Sequence, residues 1–201
     1  MIPAEILLDG YRQGIFPMAE GNGEIRWYEA DPRTILDIQH YHLPRDLRRI
    51  LKREPFEIRF DSAFERVIRA CARRASTWIS EEIISSYIDL HHAGYAHSVE
   101  AWSRPGDKDK APPKLVGGLY GVAIGAAFFG ESMFYRVSYA SKVALASLAE
   151  HLQAQGFELH DAQMMTPTLQ LFGAQQIPRD EYLKRLQKAL TKRRNFLKQS
   201  A

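Results

Sequence analysis

Cysteine is nearly absent. Cys71 stands alone among 201 residues, which excludes an internal disulfide and a cysteine-built metal site and makes a reducing cytoplasm the simplest compartment. Cys71 itself reads as core packing. The seven histidines offer no metal site either, since His91 and His92 are adjacent on an expected helix and the others are scattered. There is no phosphate loop of the Walker type and no dinucleotide glycine fingerprint, so nothing supports nucleotide-driven chemistry, and no serine sits in a nucleophile elbow. The first residues, MIPAEILLDGYRQG, have no basic leader and carry acidic residues inside their apolar run, unlike a secretory signal. Long hydrophobic runs are missing too, with one exception. LVGGLYGVAIGAAFFGESMF, residues 115–134, has the length of a membrane span, yet five glycines and Glu131 interrupt it. No membrane partner is expected.

That interrupted stretch reads as a hairpin around which the rest is arranged. Val116, Leu119, Tyr120, Val122 and Ile124 are strand formers, Gly125 falls where a tight turn belongs, and residues 126–134 return as a second apolar strand. Glycine inside a strand marks a bulge or the close approach of a backbone or ligand, so a cleft beside the hairpin is expected. Glu131 stands in this apolar setting. Its carboxylate has to be paired, hydrogen-bonded or neutralised there. The structural reading is that it binds backbone amides at a bulge, and the functional one is that it lines the cleft.

An apolar content of 45% says globular, with room for one substantial core. Residues 3–13 predict a helix stopped by Gly14, residues 15–18 an apolar extended piece, and residues 34–38 a strand after turns at 21–23 and 31–33. Residues 1–35 cannot fold alone and are expected to lie as an arm on a main body of 36–201. In that body, residues 44–53 read as a basic helix and 56–60 as a strand. Asp61 is expected to cap a helix with Phe64, Val67, Ile68 and Cys71 inward, and Ser80 to cap a helix ending near Gly94. A strand at 97–102 and a polar loop at 103–114 lead to the hairpin, giving three consecutive antiparallel strands. Ser141 is expected to cap a helix to 155. Residues 157–163 follow as a strand with Phe157, Leu159, Asp161 and Gln163 on one face. A helix at 166–172, a short strand at 175–177 and a helix capped by Asp180 complete an α+β (α/β) chain.

The formal charge is only +3, but it is uneven. Arg45, Arg48, Arg49, Lys52 and Arg53 fall within nine residues, and residues 179–201 carry eight Lys or Arg against Asp180 and Glu181. Such clusters fit a phosphate backbone or, more plainly, a solvated helix face. At helical spacing Arg45, Arg48, Arg49 and Lys52 share one face, and Arg45, Arg49, Lys52 and Arg53 are the expected RNA-binding residues.

YRQGIFPM, WYEADPR, TWIS, HSVE, LVGGLYGV, FFGESMF, ASK and the run from DAQ to LFGAQQIPR together resemble the leucyl/phenylalanyl-tRNA protein transferases, over roughly residues 10–182. IFP, DPR and GESMF in this order are far more specific than any one of them. The resemblance implies an acetyltransferase-like (GNAT) fold with a largely antiparallel mixed sheet flanked by helices. It also implies an enzyme that moves Leu or Phe, with Met as a further donor, from aminoacyl-tRNA to the α-amine of proteins beginning with Arg or Lys, marking them for N-degron degradation. No cofactor is implied, because the ester is already activated. Asp161 and Gln163 match the family's proposed catalytic pair, with Asp161 orienting Gln163 and the Gln163 carbonyl holding the attacking amine. Glu131 matches the glutamate lining the acceptor site. Leu119, Phe128 and Met133 match the pocket for the donor side chain, and Trp78 and Tyr87 match aromatics near the terminal adenosine. Two residues depart from the pattern: Met18 stands where an aromatic is familiar, and Thr166 where some members have asparagine. Both touch the donor side, as does the shortened N-terminal segment. A cytoplasmic monomer is expected.

Two rivals remain. An acyl-CoA-dependent N-acetyltransferase would need a glycine-rich pyrophosphate loop after the hairpin, where residues 135–141 have no glycine. An RNA-binding module would use the basic helices alone.

Overall fold

The computed structural model describes residues 1–74, 76–104 and 111–197, so residues 105–110 of the expected polar loop and Lys198 of the basic run lie outside it. The chain opens with α1 (Ala4–Arg12), then a two-stranded ribbon of β1 (Phe16–Ala19) and β2 (Ile25–Tyr28). β3 (Arg33–Leu36) enters the main sheet. α2 (Arg45–Leu51), β4 (Phe56–Phe60), α3 (Phe64–Ala72) and α4 (Glu81–His92) precede a meander of β5 (Ala96–Ser103), β6 (Leu115–Ile124) and β7 (Ala127–Tyr135). α5 (Ala140–Ala154) crosses over to β8 (Leu159–Gln163), and α6 (Pro167–Leu171), β9 (Gln175–Ile177) and α7 (Arg179–Leu190) follow.

Among the described residues the main sheet has seven strands in the order β4-β5-β6-β7-β8-β3-β9. All neighbours are antiparallel except β7 and β8, which are parallel and therefore need the long crossover that α5 supplies. Helices cover both faces, which is why all ten residues of β6 are buried and why its sequence is apolar throughout instead of alternating. On one face Tyr11, Cys71, Tyr87 and Tyr182 bring α1, α3, α4 and α7 into a common core. On the other face, Leu47, Leu145, Leu148 and Leu169 do the same for α2, α5 and α6. Gly117 explains how α5 can lie so close: a Cβ there would stand 2.5 Å from the Ala140 Cβ. Gly125 turns the β6–β7 hairpin at φ 61°.

The expected α+β class and the three antiparallel strands are present. Local differences concern caps. Asp61 does not cap α3, because its carboxylate is drawn across to β5, accepting from Ser98 N at 2.7 Å and lying 2.7 Å from His97 Nδ1. Glu100, fully buried on β5, serves the start of α3 instead, accepting from the amides of Ser62 and Ala63 at 3.1 Å. Ser141 lies inside the first turn of α5, whose N-cap is Tyr139 at φ 67° with no side-chain cap bond. Asp180 likewise sits in the first turn of α7 behind Pro178. Ser80 does cap α4, through Ile83 N. Phe157 precedes β8 and packs with the α5 layer, whereas Leu159 packs with the opposite one. Asp161 thus shares a face with Leu159 but not with Phe157.

Candidate active site

β7 and β8 pair only along Ala127–Phe129 and Leu159–Asp161. β7 runs on to Tyr135 while β8 stops at Gln163. A cavity of about 640 Å³ is lined by both strand ends, beyond the carboxyl ends of this parallel pair, where α/β sheets commonly bind ligands.

Glu131 owes its position to a β-bulge. Gly121 pairs with Gly130 and Tyr120 with Ser132, so Glu131 is the extra residue between them. The bulge turns the side chain out of the ladder. Its partners are side chains and not the backbone amides of the structural reading. Oε1 accepts from Tyr11 Oη and from Gln163 Nε2, each at 2.7 Å, and Oε2 lies 3.4 Å from Tyr87 Oη. Tyr11 Oη and Tyr87 Oη are themselves hydrogen-bonded. Burial pushes the carboxyl up to about 7, with Asp161 adding to the rise, while the bonds from Tyr11 and Gln163 and the charge of Arg33 oppose it. A carboxylate poised near neutrality can exchange a proton with an amine at physiological pH.

Asp161 sits behind this cavity without lining it. Arg33 from β3 clamps it, Nε to Oδ1 at 2.9 Å and Nη2 to Oδ2 at 2.7 Å, with both side chains essentially excluded from solvent. Tyr182 Oη donates to Oδ2 at 2.7 Å, and Gln163 N donates to Oδ1 at 2.9 Å. Arg33 is held in turn by the Gly14 carbonyl at 3.1 Å and by the rings of Phe16 and Tyr182. Gln163 therefore meets Asp161 through its backbone, at φ 61°. Its side chain turns to Glu131. With Nε2 donating to that carboxylate, its Oε1 is left to accept.

Leu119, Met133, Met18, Trp78, Glu131, Gln163 and Thr166 all line the cavity. Phe128 and Tyr87 do not. Phe128 is fully buried and stacks on Phe196, 5.5 Å between centroids, and the buried ring of Tyr87 meets Tyr120 edge-on. Tyr87 therefore supports Glu131 from below, and of these two aromatics Trp78 is the one that lines the cavity. Leu145, Leu148 and Leu169 add to the apolar end from α5 and α6, and Arg73 and Arg74 stand at the α3 end. Arg45, Arg49, Lys52 and Arg53 are exposed on and just after α2. α2 abuts α5, with Tyr139 Oη donating to Asp46 at 2.7 Å, beside the cavity-lining Arg136 and Ser141. Tyr11, Arg33 and Tyr182 were missing from the sequence-based candidates. Tyr11 and Arg33 each belong to a stretch that carries the resemblance, YRQGIFPM and ADPR, whereas nothing in the sequence marked Tyr182.

An apolar recess, an amide and a carboxylate tuned near neutrality suit an acyltransferase that delivers an apolar acyl group to an amine. The family model described as leucyl/phenylalanyl-tRNA protein transferase matches residues 35–187, and that of its N-terminal domain matches residues 1–31. A leucyl/phenylalanyl-tRNA--protein transferase of Gloeobacter violaceus is 54% identical over 92% of this chain and 93% of its own. One from Rubrobacter xylanophilus is 48% identical over 96% and 97%. The solved structure of L-PGS from Bacillus licheniformis covers 91% of this chain and 68% of its own, at 13% identity and a TM-score of 0.45, too slight a likeness to bear on chemistry. The chain belongs to the leucyl/phenylalanyl-tRNA protein transferase family, whose members are tRNA-dependent aminoacyltransferases.

Proposed function

We propose that this chain transfers Leu or Phe, and also Met, from aminoacyl-tRNA to the α-amine of proteins beginning with Arg or Lys, marking them for N-degron degradation. Residues 1–35 would act as an arm completing a GNAT-like catalytic body of 36–201, in a cytoplasmic monomer. The observation that carries this reading is the 2.7 Å bond between Gln163 Nε2 and Glu131 Oε1 at the junction of the apolar recess and the polar floor.

The donor's apolar side chain enters the recess of Leu119, Met133, Leu145, Leu148 and Leu169, and Trp78 carries the terminal adenosine. The acceptor's ammonium meets Glu131, whose Oε2 is the less occupied oxygen, and gives up a proton there. Gln163 Oε1 then accepts from the remaining N–H and aims the lone pair at the ester carbonyl. The C–N bond forms and the ester C–O bond breaks. One amine proton ends on the ribose oxygen that leaves and the other is released to solvent. Asp161 acts through Gln163 as a positioning residue, fixed by Arg33 and Tyr182. The exposed cations of α2 follow the tRNA backbone.

The test offers Leu-tRNA, Phe-tRNA and Met-tRNA, without ATP, to peptides starting with Arg, Lys, Asp or Ala. Transfer to Arg and Lys peptides is expected. Equal transfer to the Ala peptide, or none to any, would overturn the reading.

A further inference from the structure

The recess is not wholly apolar. His160 lines it from β8, on the face shared with Ala162 and opposite Asp161. Its side chain is 2% exposed, and neither ring nitrogen is hydrogen-bonded among the described residues, though neither is sealed off as Thr34 Oγ1, Trp102 Nε1 and Tyr120 Oη are. The ring stands edge-on to Phe128 at 5.6 Å between centroids. Gly130, across the opening on β7, leaves the imidazole uncovered: a Cβ at that position would lie 3.4 Å from His160 Nε2. An unpartnered buried polar group aimed into a ligand cavity asks for a partner from the ligand.

Resting on the function proposed above, we infer that His160 is a specificity-determining residue that extends donor use to aromatic side chains carrying a hydroxyl at the far edge, the tyrosyl class. Burial holds the imidazole neutral, pushed down to about 4, so it offers one N–H and one lone pair. A phenol can satisfy either. A leucyl or phenylalanyl side chain strips water from the imidazole and returns nothing, whereas a tyrosyl hydroxyl replaces that water. An apolar pocket on its own would merely tolerate the added hydroxyl poorly.

Leucyl-, phenylalanyl- and tyrosyl-adenosine are compared as minimal donors to an Arg-starting peptide, with kcat/KM measured for wild type, His160→Leu and Gly130→Ala. Wild type should use the tyrosyl donor within about tenfold of the phenylalanyl one. The tyrosyl:phenylalanyl ratio should fall about three- to tenfold in both variants, the size of one buried neutral hydrogen bond. In His160→Leu the leucyl and phenylalanyl donors should also gain, which a merely structural histidine would not produce. An unchanged ratio, or a parallel loss of all three donors in a folded variant, overturns the assignment without touching the transferase reading, which rests on wild-type activity. If His160→Leu does not fold, the wild-type ratio and Gly130→Ala decide it. Failure of wild type on all three donors would sink the transferase reading itself, and this inference with it.

Discussion

Gln163 Nε2 and Glu131 Oε1 are joined at 2.7 Å although they stand on strands whose ladder has already ended. The bond exists because two local irregularities face each other: the bulge that frees Glu131 and the left-handed φ of 61° that turns Gln163 at the end of β8. Strain of this kind is kept where the surroundings over-determine it. Here Asp161 holds the Gln163 backbone and Arg33 holds Asp161. The acidic group, the amide and the buried clamp form one connected assembly reaching from β7 through β8 to β3.

Glu131→Gln should remove charge while keeping shape. With the carboxyl pushed up to about 7, wild-type kcat/KM for the acceptor should rise through about pH 7 as Glu131 ionises, and fall again above about pH 8 as the ammonium it binds loses its charge. The variant should lose the limb near pH 7 and about ten- to a hundredfold in acceptor kcat/KM, a charge-assisted contact being worth about 1.5–3 kcal/mol. tRNA affinity should hardly move. The linkage has a definite sign: a carboxyl raised in the fold favours the protonated native state, so its contribution is full below about pH 4.5 and lost as pH rises through about 7. His160, lowered to about 4, tilts stability the opposite way below about pH 6.5. Only the difference between wild type and Glu131→Gln isolates the carboxyl.

Tyr11→Phe should move the same limb to higher pH. The Tyr11 hydroxyl donates to Glu131 and favours its ionised form, so its loss leaves the burial effect less opposed. A limb that stays in place would mean Tyr11 only packs. Because Tyr11 belongs to α1, a shift would also tie the first helix to the chemistry.

Most of this architecture could be read in the sequence because it rests on local signals. The 115–134 hairpin, the Ser80 cap and the apolar stripe of α3 are cases where glycine placement, capping chemistry and periodicity agree with the fold. The misses are long-range. Asp61 carries a good cap side chain, but β5 offers it Ser98 N and His97, and Glu100 from that strand takes over the helix start. Asp161 reads as a partner of the Gln163 side chain two residues on, yet the ligands that fix it come from positions 33 and 182, which no window of sequence brings near. Tyr87 shows the limit of carrying a role over from a resemblance: its ring is buried and only its hydroxyl touches the site.

Asp161→Ala should unfold the protein more readily as well as slow it. The substitution leaves the Arg33 guanidinium buried without its counter-charge, a change that costs about 3–5 kcal/mol. In a chain of this size that corresponds to a melting temperature lower by roughly 10 °C. Gln163→Ala should lower turnover by about ten- to a thousandfold with little loss of melting temperature, since among the described residues its side chain has one protein bond, to Glu131. Calorimetry beside turnover separates the two residues. Should both variants melt alike, the division between a clamp and a substrate-facing group would be wrong.

The exposed cations on and just after α2 form a patch outside the cavity. Arg45, Arg48, Arg49 and Lys52 recur three and four residues apart and so share a face, with Arg53 beside them. One of them is already engaged: Arg48 Nε donates to the Leu43 carbonyl at 2.8 Å. Arg45, Arg49, Lys52 and Arg53 are left as the better candidates for phosphate. Each phosphate contact releases condensed counterions, so each one lost flattens the slope of log affinity against log salt by somewhat less than about one unit. Lys52→Ala combined with Arg53→Ala should therefore flatten that slope by roughly 1–2 units and weaken Leu-tRNA and Phe-tRNA alike. Since α2 lies beside the start of α5 and not in the cavity, the double variant should still use leucyl-adenosine at the wild-type rate. A wild-type salt slope in the variant, or an equal loss on the minimal donor, would make this a solvated face and move the tRNA path to the cations of α7 and beyond, from Lys184 through Arg194.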